Sequence, residues 1–498
     1  MSSTEKLYLE YKSVMQKVAD VKYAAAVLQW DQETYLPEKG AEFRGRQLAT
    51  LSEISHEMFI NDKNEGLLKD LLSKDLPQEQ KRNVALTWED YSRLKKLTPE
   101  FVRKMSETVS ASFFAWIEAR KQNSYKIFEP KLAPLVDLKR QEAELYGYEG
   151  HPYNALMDEY EKGATVQKID TIFEDIKLPL RQLLSEIQND RPVDDSFLRQ
   201  HFLKQQQWEW GMYLAKQLGF DFERGRQDIS EHPFTTNFSS QDVRITTRID
   251  EHDFANMTWS TIHEVGHALY EQGLPPEQYG LPLGEYASLG IHESQSRLWE
   301  NCVGRGNAFW SYYLPQLKQF FPEQFKDVSK DQFLKAINKV QPSLVRAEAD
   351  ELTYHFHVMV RYELEKRLIE GSLQVKEIPL YWNDQYKALL GVDVPDDKSG
   401  CLQDVHWSHG SFGYFATYSL GSFYAAQLWQ HANKTIPGLE TEISQQGKTK
   451  SLLLWLRNNV HKHGRFYNSN ELCAAVTGHE LDSKVFVSYL KEKLNDLK

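Results

Sequence analysis

The sequence has only three cysteines in 498 residues. They are odd in number and widely spaced, at Cys302, Cys401 and Cys473, which excludes a disulfide framework and suits a reducing compartment. No run of roughly 18 apolar residues occurs, so we expect no helix that spans a membrane. The opening residues lack an apolar stretch after a basic start, so we expect no secretory signal and a cytoplasmic location.

Glycine and proline are also sparse, with 26 and 18 residues, which permits long uninterrupted helices. Positive charge is in deficit, because 59 lysines and arginines face 71 aspartates and glutamates, for a net charge of -12. Since a phosphate backbone requires a basic surface, we expect no nucleic-acid partner. Hydrophobic residues at 41% and charged residues at 26% are typical of a globular chain with a large core.

Periodicity predicts the local structure. Apolar residues recur at spacings of three and four near the start, at Leu7, Tyr11, Val14, Val18 and Val21. This pattern predicts an amphipathic helix. Alternation of apolar and polar residues over 243–249 predicts one short strand, which follows a loop-like segment at 232–237. With no internal repeat and no low-complexity linker, we predict a mainly α protein with one small sheet, as a single domain over 1–498 with two lobes.

The segment 263–267 reads His-Glu-Val-Gly-His. His263 and His267 lie four residues apart, so on a helix their imidazoles project from one face and can share one metal ion. Glu264 lies beside that face, where it can take a proton from a water molecule that the ion activates. The motif therefore predicts a metal-dependent hydrolytic site. The alternative is an exposed helix with two incidental histidines.

A third ligand is predicted downstream, where Glu293 follows His267 after a loop rich in proline and glycine at 274–282. Two histidines and one glutamate form a catalytic zinc set that leaves a fourth position open for water. The alternative for Glu293 is a surface acid on a helix. His292 could equally be a ligand, but neighbours on a helix diverge by about 100°, so only one of the two points at the metal.

Six short motifs follow one another between residues 232 and 407. They are His232-Pro233-Phe234, Asp242-Val243-Arg244-Ile245-Thr246, His263-Glu264-Val265-Gly266-His267, His292-Glu293-Ser294-Gln295, Val345-Arg346-Ala347-Glu348-Ala349-Asp350 and Gly400-Cys401-Leu402-Gln403-Asp404-Val405-His406-Trp407. In this order they resemble the carboxypeptidase Taq family of thermostable metallocarboxypeptidases. Looser similarity extends over nearly the whole chain.

The resemblance implies a large, nearly all-helical fold related to angiotensin-converting enzyme and neurolysin. Two lobes would flank a deep substrate groove, with the metal at its floor and the small sheet beside the active site. The implied activity is removal of single C-terminal residues from peptides with broad side-chain tolerance. The family is commonly dimeric, so we expect a homodimer. Zinc is the expected ion, although the ligand set also accepts cobalt or manganese.

An exopeptidase of this kind has to recognise a free α-carboxylate, for which the planar fork of arginine is suited. Arg346 and Arg244 both lie in family motifs, and we favour Arg346. The alternative for Arg346 is an ion pair with Glu348, Asp350 or Glu351. The alternative for Arg244 is a bond to Asp242 or to a neighbouring backbone group. The same motifs, with the region just after them, supply four further candidates for substrate binding: His232, Asp242, Gln403 and Tyr414.

The reaction also needs a general base and a donor to the developing oxyanion. Glu264 is predicted to take the proton from water and to deliver it to the leaving amine. Candidate donors lie in and just after the last motif, at His406, His409, Tyr414 and Tyr418. A tyrosine and a histidine are the donors in related enzymes of the wider fold, so the resemblance favours His406 and Tyr418. The alternative for both is core packing.

Two other functions remain open at this stage. The first is an endo-oligopeptidase or dipeptidyl carboxypeptidase on the same scaffold, which only product analysis separates from a carboxypeptidase. The second is a non-catalytic helical scaffold with a structural metal or none. The presence of Glu264 counts against the scaffold, because a structural site needs no base.

Overall fold

The computed structural model of the protein describes residues 2–188 and 192–497. Helices make up 71% of these residues, and one three-stranded sheet accompanies them there. The prediction of a mainly α fold with one small sheet is therefore confirmed. Of the helices within the described ranges, none has the length together with the apolarity that crossing a bilayer would require.

Ten α-helices lie in the described part of the chain before residue 272. They are α1 (Ser3–Thr34), α2 (Ala41–Phe59), α3 (Asp62–Leu72), α4 (Gln78–Lys95), α5 (Pro99–Gln122), α6 (Tyr125–Tyr146), α7 (Tyr153–Tyr160), α8 (Val166–Gln188), α9 (Lys204–Leu218) and α10 (Phe254–Glu271). The strands β1 (Gly225–Ile229), β2 (Thr235–Ser239) and β3 (Asp242–Thr247) lie between α9 and α10.

The remaining α-helices follow after a loop that contains two short 3-10 turns. They are α11 (Leu289–Arg297), α12 (Asn307–Phe320), α13 (Pro322–Phe325), α14 (Lys330–Ile337), α15 (Tyr354–Glu370), α16 (Ile378–Leu390), α17 (Ala416–Thr435), α18 (Leu439–Gln446), α19 (Lys450–Asn459), α20 (Ser469–Thr477) and α21 (Ser483–Asn495). A six-residue π-helix, Leu298–Val303, continues directly from α11.

The predicted N-terminal helix is present as α1. It begins with a reciprocal cap, in which the Ser2 hydroxyl accepts a hydrogen bond from the Glu5 amide at 3.1 Å and the Glu5 carboxylate accepts one from the Ser2 amide at 3.3 Å. Its apolar face is buried around Tyr11 and Val18. The Tyr11 hydroxyl lies 2.7 Å from the Thr87 hydroxyl, which ties α1 to α4.

The sheet has the order β1-β3-β2, with β1 parallel and β2 antiparallel to the central β3. The strand predicted over 243–249 is thus observed as β3. The loop predicted over 232–237 is wrong for its second half, because Thr235 opens β2 and pairs with Ile245 of β3. Proline and asparagine in this segment indicate a loop locally, but pairing with the buried β3 overrides that preference.

The chain divides into two compact units, each assembled from three separate segments. Unit 1 comprises Met1–Lys95, Asp194–Ile337 and Tyr424–Leu481, and unit 2 comprises Lys96–Val193, Asn338–Phe423 and Asp482–Lys498. Unit 1 contains the sheet with α10 and α11. Unit 2 contains α15 as a buried central helix that packs against α6, α7, α8 and α16. The single domain with two lobes stays a prediction.

The contact between α10 and α11 in unit 1 depends on one glycine. A Cβ atom added at Gly266 would lie 2.6 Å from the Cα of Ser296 and 2.8 Å from the carbonyl oxygen of Gln295. Both of these are backbone atoms, so a side chain at this position would have to push the whole of α11 away. Gly266 therefore sets how closely the two helices approach.

We predict that Gly266→Ala lowers the free energy of unfolding by about 1–3 kcal/mol, because the overpacked methyl group separates α10 from α11. Gly45→Ala is the matched control, since Gly45 lies inside α2 and an added Cβ there would meet nothing within 4 Å. That variant should gain up to about 1 kcal/mol from its better helix propensity. Urea denaturation measures both values. Equal stabilities of the two variants would contradict the close contact.

Candidate active site

The helix α10 positions the two histidines of the His-Glu-Val-Gly-His motif. Its first turn is capped by Asp253, whose carboxylate accepts hydrogen bonds from the amides of Ala255 and Asn256 at 3.0 and 3.3 Å. His263 and His267 then leave the same face of the helix one turn apart, with ring centroids separated by 4.8 Å.

Glu293 of α11 faces both histidines. Its Oε2 atom lies 3.8 Å from His263 Nε2 and 3.6 Å from His267 Nε2. The three potential ligand atoms all lie within 4.8 Å of one another. The three residues predicted as metal ligands are thus brought together, and two imidazoles with one carboxylate form a donor set that suits zinc.

The atoms of His263 and Glu293 that point away from this group are held by two neighbours. His263 Nδ1 lies 2.9 Å from Glu300 Oε2, and Arg297 Nε donates to Glu293 Oε1 at 2.7 Å. Arg297 also donates to Glu300 Oε2 from Nη1 at 3.1 Å. Such partners orient metal ligands and fix their protonation, so the surroundings fit a bound cation.

His292, the alternative ligand, takes a different place. Its Nδ1 atom lies 2.6 Å from Nδ1 of His267, on the side of that ring away from Glu293. Burial, together with the nearby His292 and His263, holds the pKa of His267 well below its usual range. The His267 ring is therefore neutral and keeps a lone pair for a metal.

Glu264 is buried beside the histidines, next to the sheet. Its Oε2 atom accepts a hydrogen bond from the Thr235 hydroxyl of β2 at 2.6 Å. Burial, assisted by the negative charge of Glu293, raises the pKa of Glu264 although His263 and Thr235 act against the shift. A carboxylate with a raised pKa is better suited to accept and return a proton near neutral pH.

Other predicted residues of unit 1 are arranged differently. Arg244 forms a two-pronged ion pair with Asp242 at 3.0 and 2.9 Å, and its guanidinium stacks 4.3 Å from the ring centroid of Trp30. This is the alternative that the sequence left open for Arg244. His232 is exposed, and its carbonyl oxygen accepts a hydrogen bond from the Ser230 hydroxyl at 2.6 Å.

Arg346 lies in unit 2 and pairs with a residue that the sequence did not suggest. Its Nε donates to Asp404 Oδ1 at 3.0 Å, and its Nη1 donates to the Tyr354 hydroxyl at 3.0 Å. The expected alternative, an ion pair with Glu348, Asp350 or Glu351, is therefore wrong. Asp404 stands far along the chain, so only the folded structure brings it to Arg346.

A second arginine bonds to the same carboxylate, so that Arg346, Arg361 and Asp404 form one charged cluster. Arg361, fully buried, donates to Asp404 Oδ2 at 2.6 Å and to Gln403 Oε1 at 2.7 Å. Burial acts against the charge of Asp404, but Arg361 and Arg346 outweigh it and hold the pKa of this carboxyl below its usual range. Two guanidinium groups against one carboxylate leave an excess positive charge, which favours an anionic ligand.

The predicted histidine and tyrosines lie beside Arg346 in unit 2. Nε2 of His406 is 3.2 Å from the Tyr418 hydroxyl, and the Tyr418 ring centroid is 4.8 Å from the guanidinium of Arg346. Tyr414 precedes α17, whereas Tyr418 lies in its first turn, and the centroids of the two rings are 5.1 Å apart. Burial lowers the pKa of His406 to about 3, so its ring is neutral at physiological pH.

The segment 406–413 is held by Glu365 of α15, which the sequence did not suggest. The Trp407 indole donates to Glu365 Oε1 at 2.8 Å, and the Gly413 amide donates to Oε2 at 2.8 Å. The Tyr153 hydroxyl also donates to Oε2. Burial raises the pKa of Glu365 to about 7, although these three hydrogen bonds stabilise the charged form and act to lower it.

Sequence reasoning missed several residues around the candidate ligands in unit 1. Arg297 and Glu300 follow Glu293 by four and seven positions, a spacing that places all three on one helical face and could have revealed them. Thr235 carried no comparable signal, because its contact with Glu264 depends on the pairing of β2 in the sheet.

Two histidines and a glutamate beside a buried glutamate define the site of a metal-dependent hydrolase. The family model described as Carboxypeptidase Taq (M32) metallopeptidase matches residues 10–494. Carboxypeptidase 1 of Bacillus subtilis (strain 168) is 36% identical over 492 residues, which cover 98% of each chain.

Solved structures agree with this match. The M32 carboxypeptidase from Deinococcus radiodurans R1 is 37% identical, with a TM-score of 0.96 and 99% of each chain covered. A structure described as that of CHT is 57% identical, with a TM-score of 0.97 and coverage of 98% of this chain and 99% of that one. The protein belongs to the carboxypeptidase Taq (M32) metallopeptidase family, and it is a metallocarboxypeptidase, a hydrolase of peptides.

We predict a pH-dependent contribution of Glu365 to stability. The folded protein holds this proton up to about pH 7, whereas the ordinary pKa of a glutamate is 4.5. Between these values the folded state binds more protons than the unfolded chain, so the free energy of unfolding falls as the pH rises. The fall attributable to Glu365 should reach about 3 kcal/mol at most.

Glu365→Gln removes the titrating group, so the variant should lose less stability than the parent between pH 5 and pH 8. Urea denaturation of both proteins at several pH values measures the difference. Parallel stability profiles would contradict a raised pKa at Glu365.

Proposed function

We propose that the protein is a zinc carboxypeptidase that releases single C-terminal amino acids from peptides with broad specificity. The observation that carries the proposal is the placement of His263, His267 and Glu293 with their ligand atoms together, with Glu264 next to them. A structural site would fill its fourth position and would need no neighbouring base.

His263, His267 and Glu293 would hold the ion. When bound, the metal supplies a Lewis acid that polarises the scissile carbonyl group and makes water a better nucleophile at neutral pH. Glu264 takes the proton from the attacking water and returns it to the leaving amine. Thr235 supports this role, because its hydroxyl holds one carboxylate oxygen of Glu264 and fixes the direction of the group.

Recognition of the substrate carboxylate is assigned to Arg346. Its positive charge belongs to a cluster in which Arg361 shares Asp404, so the cluster retains an excess positive charge. Arg244 is less suited, since its charge is matched by Asp242 in a one-to-one ion pair. Gln403 accepts hydrogen bonds from the Arg346 amide and from Arg361, so its part in the proposal is to hold the arginines.

His406 and Tyr418 are proposed as donors to the oxyanion that develops on the scissile carbonyl. A neutral His406 can donate a hydrogen bond without bringing in a full charge. The Tyr418 hydroxyl is within hydrogen-bonding distance of His406, so the two donors can be oriented together. Tyr414 packs against both rings and is proposed to line the same site.

Three further features of the proposal come from composition and resemblance. Zinc is favoured because imidazole and carboxylate ligands suit it, and cobalt or manganese could take its place. A homodimer follows the carboxypeptidase Taq pattern. A cytoplasmic location agrees with three buried cysteines, none of which forms a disulfide.

Mass spectrometry of a peptide digest over time tests this function. We predict a ladder of products that lose one residue after another from the C-terminus, and no ladder after chelation of the metal. Glu264→Gln should reduce kcat by about 100-fold or more, because the general base is lost, while bound metal and melting temperature stay unchanged.

A normal rate for Glu264→Gln would remove this residue from the mechanism. Release of dipeptides, or internal cleavage of amidated peptides, would instead favour the dipeptidyl carboxypeptidase or endo-oligopeptidase alternative. A purified protein that holds no metal and cleaves no peptide would favour a non-catalytic scaffold.

For the substrate carboxylate we predict that Arg346→Ala raises KM for free-acid peptides by about 10-fold or more, the loss expected for a charge-assisted hydrogen bond. The preference for free-acid over amidated peptides should shrink in parallel. Arg244→Ala is the matched control and should leave KM close to that of the parent. The reverse pattern would assign the carboxylate to Arg244.

A further inference from the structure

The two proposed histidine ligands are supported in different ways at the ring nitrogen that points away from Glu293. His263 Nδ1 lies against a carboxylate, at 2.9 Å from Glu300 Oε2. His267 Nδ1 lies against a second imidazole, at 2.6 Å from His292 Nδ1. Only one of the two ligands therefore has a carboxylate as its direct partner.

The second imidazole, that of His292, is in turn hydrogen-bonded to a carboxylate. His292 Nε2 lies 2.7 Å from Oε1 of Glu271, the last residue of α10. The other oxygen, Glu271 Oε2, accepts a hydrogen bond from the side-chain amide of Asn237 in β2. Glu271 is 3% exposed, so both oxygens depend on these protein partners rather than on water.

These contacts form a row of hydrogen-bonded side chains from His267 through His292 to Glu271. The two ends of this row determine where each proton lies. At one end, a neutral His267 with its Nε2 lone pair directed towards the metal must carry its proton on Nδ1. At the other end, the carboxylate of Glu271 can only accept, so His292 must carry its proton on Nε2. His292 Nδ1 is then the acceptor that receives the His267 proton, and no donor is left facing another donor.

We propose that Glu271 and His292 are positioning residues that form a relay, Glu271–His292–His267, and that this relay holds His267 in the tautomer that binds the metal. The inference rests on the proposed metal site. The relay fixes the His267 ring in orientation, and the negative charge of Glu271 increases the basicity of its Nε2 atom through the intervening ring.

The position of the relay in the fold supports this role. Glu271 lies one helical turn beyond His267 on α10, whereas His292 belongs to α11 and immediately precedes Glu293. The relay therefore joins the two helices that supply all three proposed ligands. Asn237 extends it to the sheet that also holds Glu264 through Thr235.

The test measures metal affinity, which is independent of turnover. The dissociation constant for Zn²⁺ is determined by competition with a chromophoric chelator, and Co²⁺-loaded protein gives a visible absorption spectrum. We expect His292→Phe to raise the dissociation constant by about 10- to 100-fold, the usual effect of losing a partner of a metal ligand. His292→Gln should recover part of this loss, because its amide can both accept from His267 and donate to Glu271.

Glu271→Gln tests the carboxylate with almost no change of shape. Its amide group would face the amide group of Asn237, so the variant should raise the dissociation constant about 10-fold and shift the Co²⁺ spectrum. Adding Asn237→Asp supplies an acceptor for that amide and should restore part of the affinity.

His461→Phe is the matched control. His461 is a fully buried histidine of unit 1 whose ring packs 5.0 Å from Tyr270, and its Nε2 lies 3.1 Å from Gln295 Oε1. It lies outside the relay, so its loss should lower the melting temperature without changing metal affinity or the Co²⁺ spectrum.

Unchanged affinity in both Glu271→Gln and His292→Phe would overturn the relay, and so would an equal loss in His461→Phe. If His292→Phe fails to fold, Glu271→Gln decides alone. Failure of the inference differs from failure of the proposed function. In the first case the parent binds Zn²⁺ and trims peptides while the relay variants match it, whereas in the second the parent itself binds no Zn²⁺.

Discussion

The candidate metal site depends on the close contact between α10 and α11. Gly266 lies between His263 and His267, and the absence of its side chain lets the backbone at Ser296 approach the helix. Glu293 then faces both histidines from α11. The glycine in the middle of the motif is therefore needed for the geometry of the site, because a side chain there would separate the candidate ligands.

The charges around this contact favour a cation at the candidate ligands. Four buried glutamates lie close to the two histidines: Glu264, Glu271, Glu293 and Glu300. The arginines that pair with them are Arg297 and Arg305, which both contact Glu300. A buried excess of negative charge is costly, and a divalent cation at the ligands offsets it directly. The net charge of -12 does not show where the charges lie, because they are unevenly distributed. Unit 2 contains a positive cluster, in which two arginines share Asp404.

Much of this could be predicted from the sequence, because the signals are local. The spacing of His263 and His267 on one helix, the Glu293 that follows, and the periodicity of α1 all depend on a few neighbouring residues. The strand β2 was missed because its pairing with β3 overrides a loop-like sequence. Two other contacts join residues that are about 40 to 60 positions apart along the chain. Arg346 pairs with Asp404, and Trp407 donates a hydrogen bond to Glu365. Contacts over such distances leave no pattern in a single sequence.

The most direct measurement of the central claim is anomalous diffraction at the zinc absorption edge from crystals of the zinc-loaded protein. The proposed metal site predicts one dominant peak bonded to His263 Nε2, His267 Nε2 and a carboxylate oxygen of Glu293, with His292 bonded to His267 and not to the metal. A dominant peak at any other place, or His292 in the coordination sphere, would contradict it.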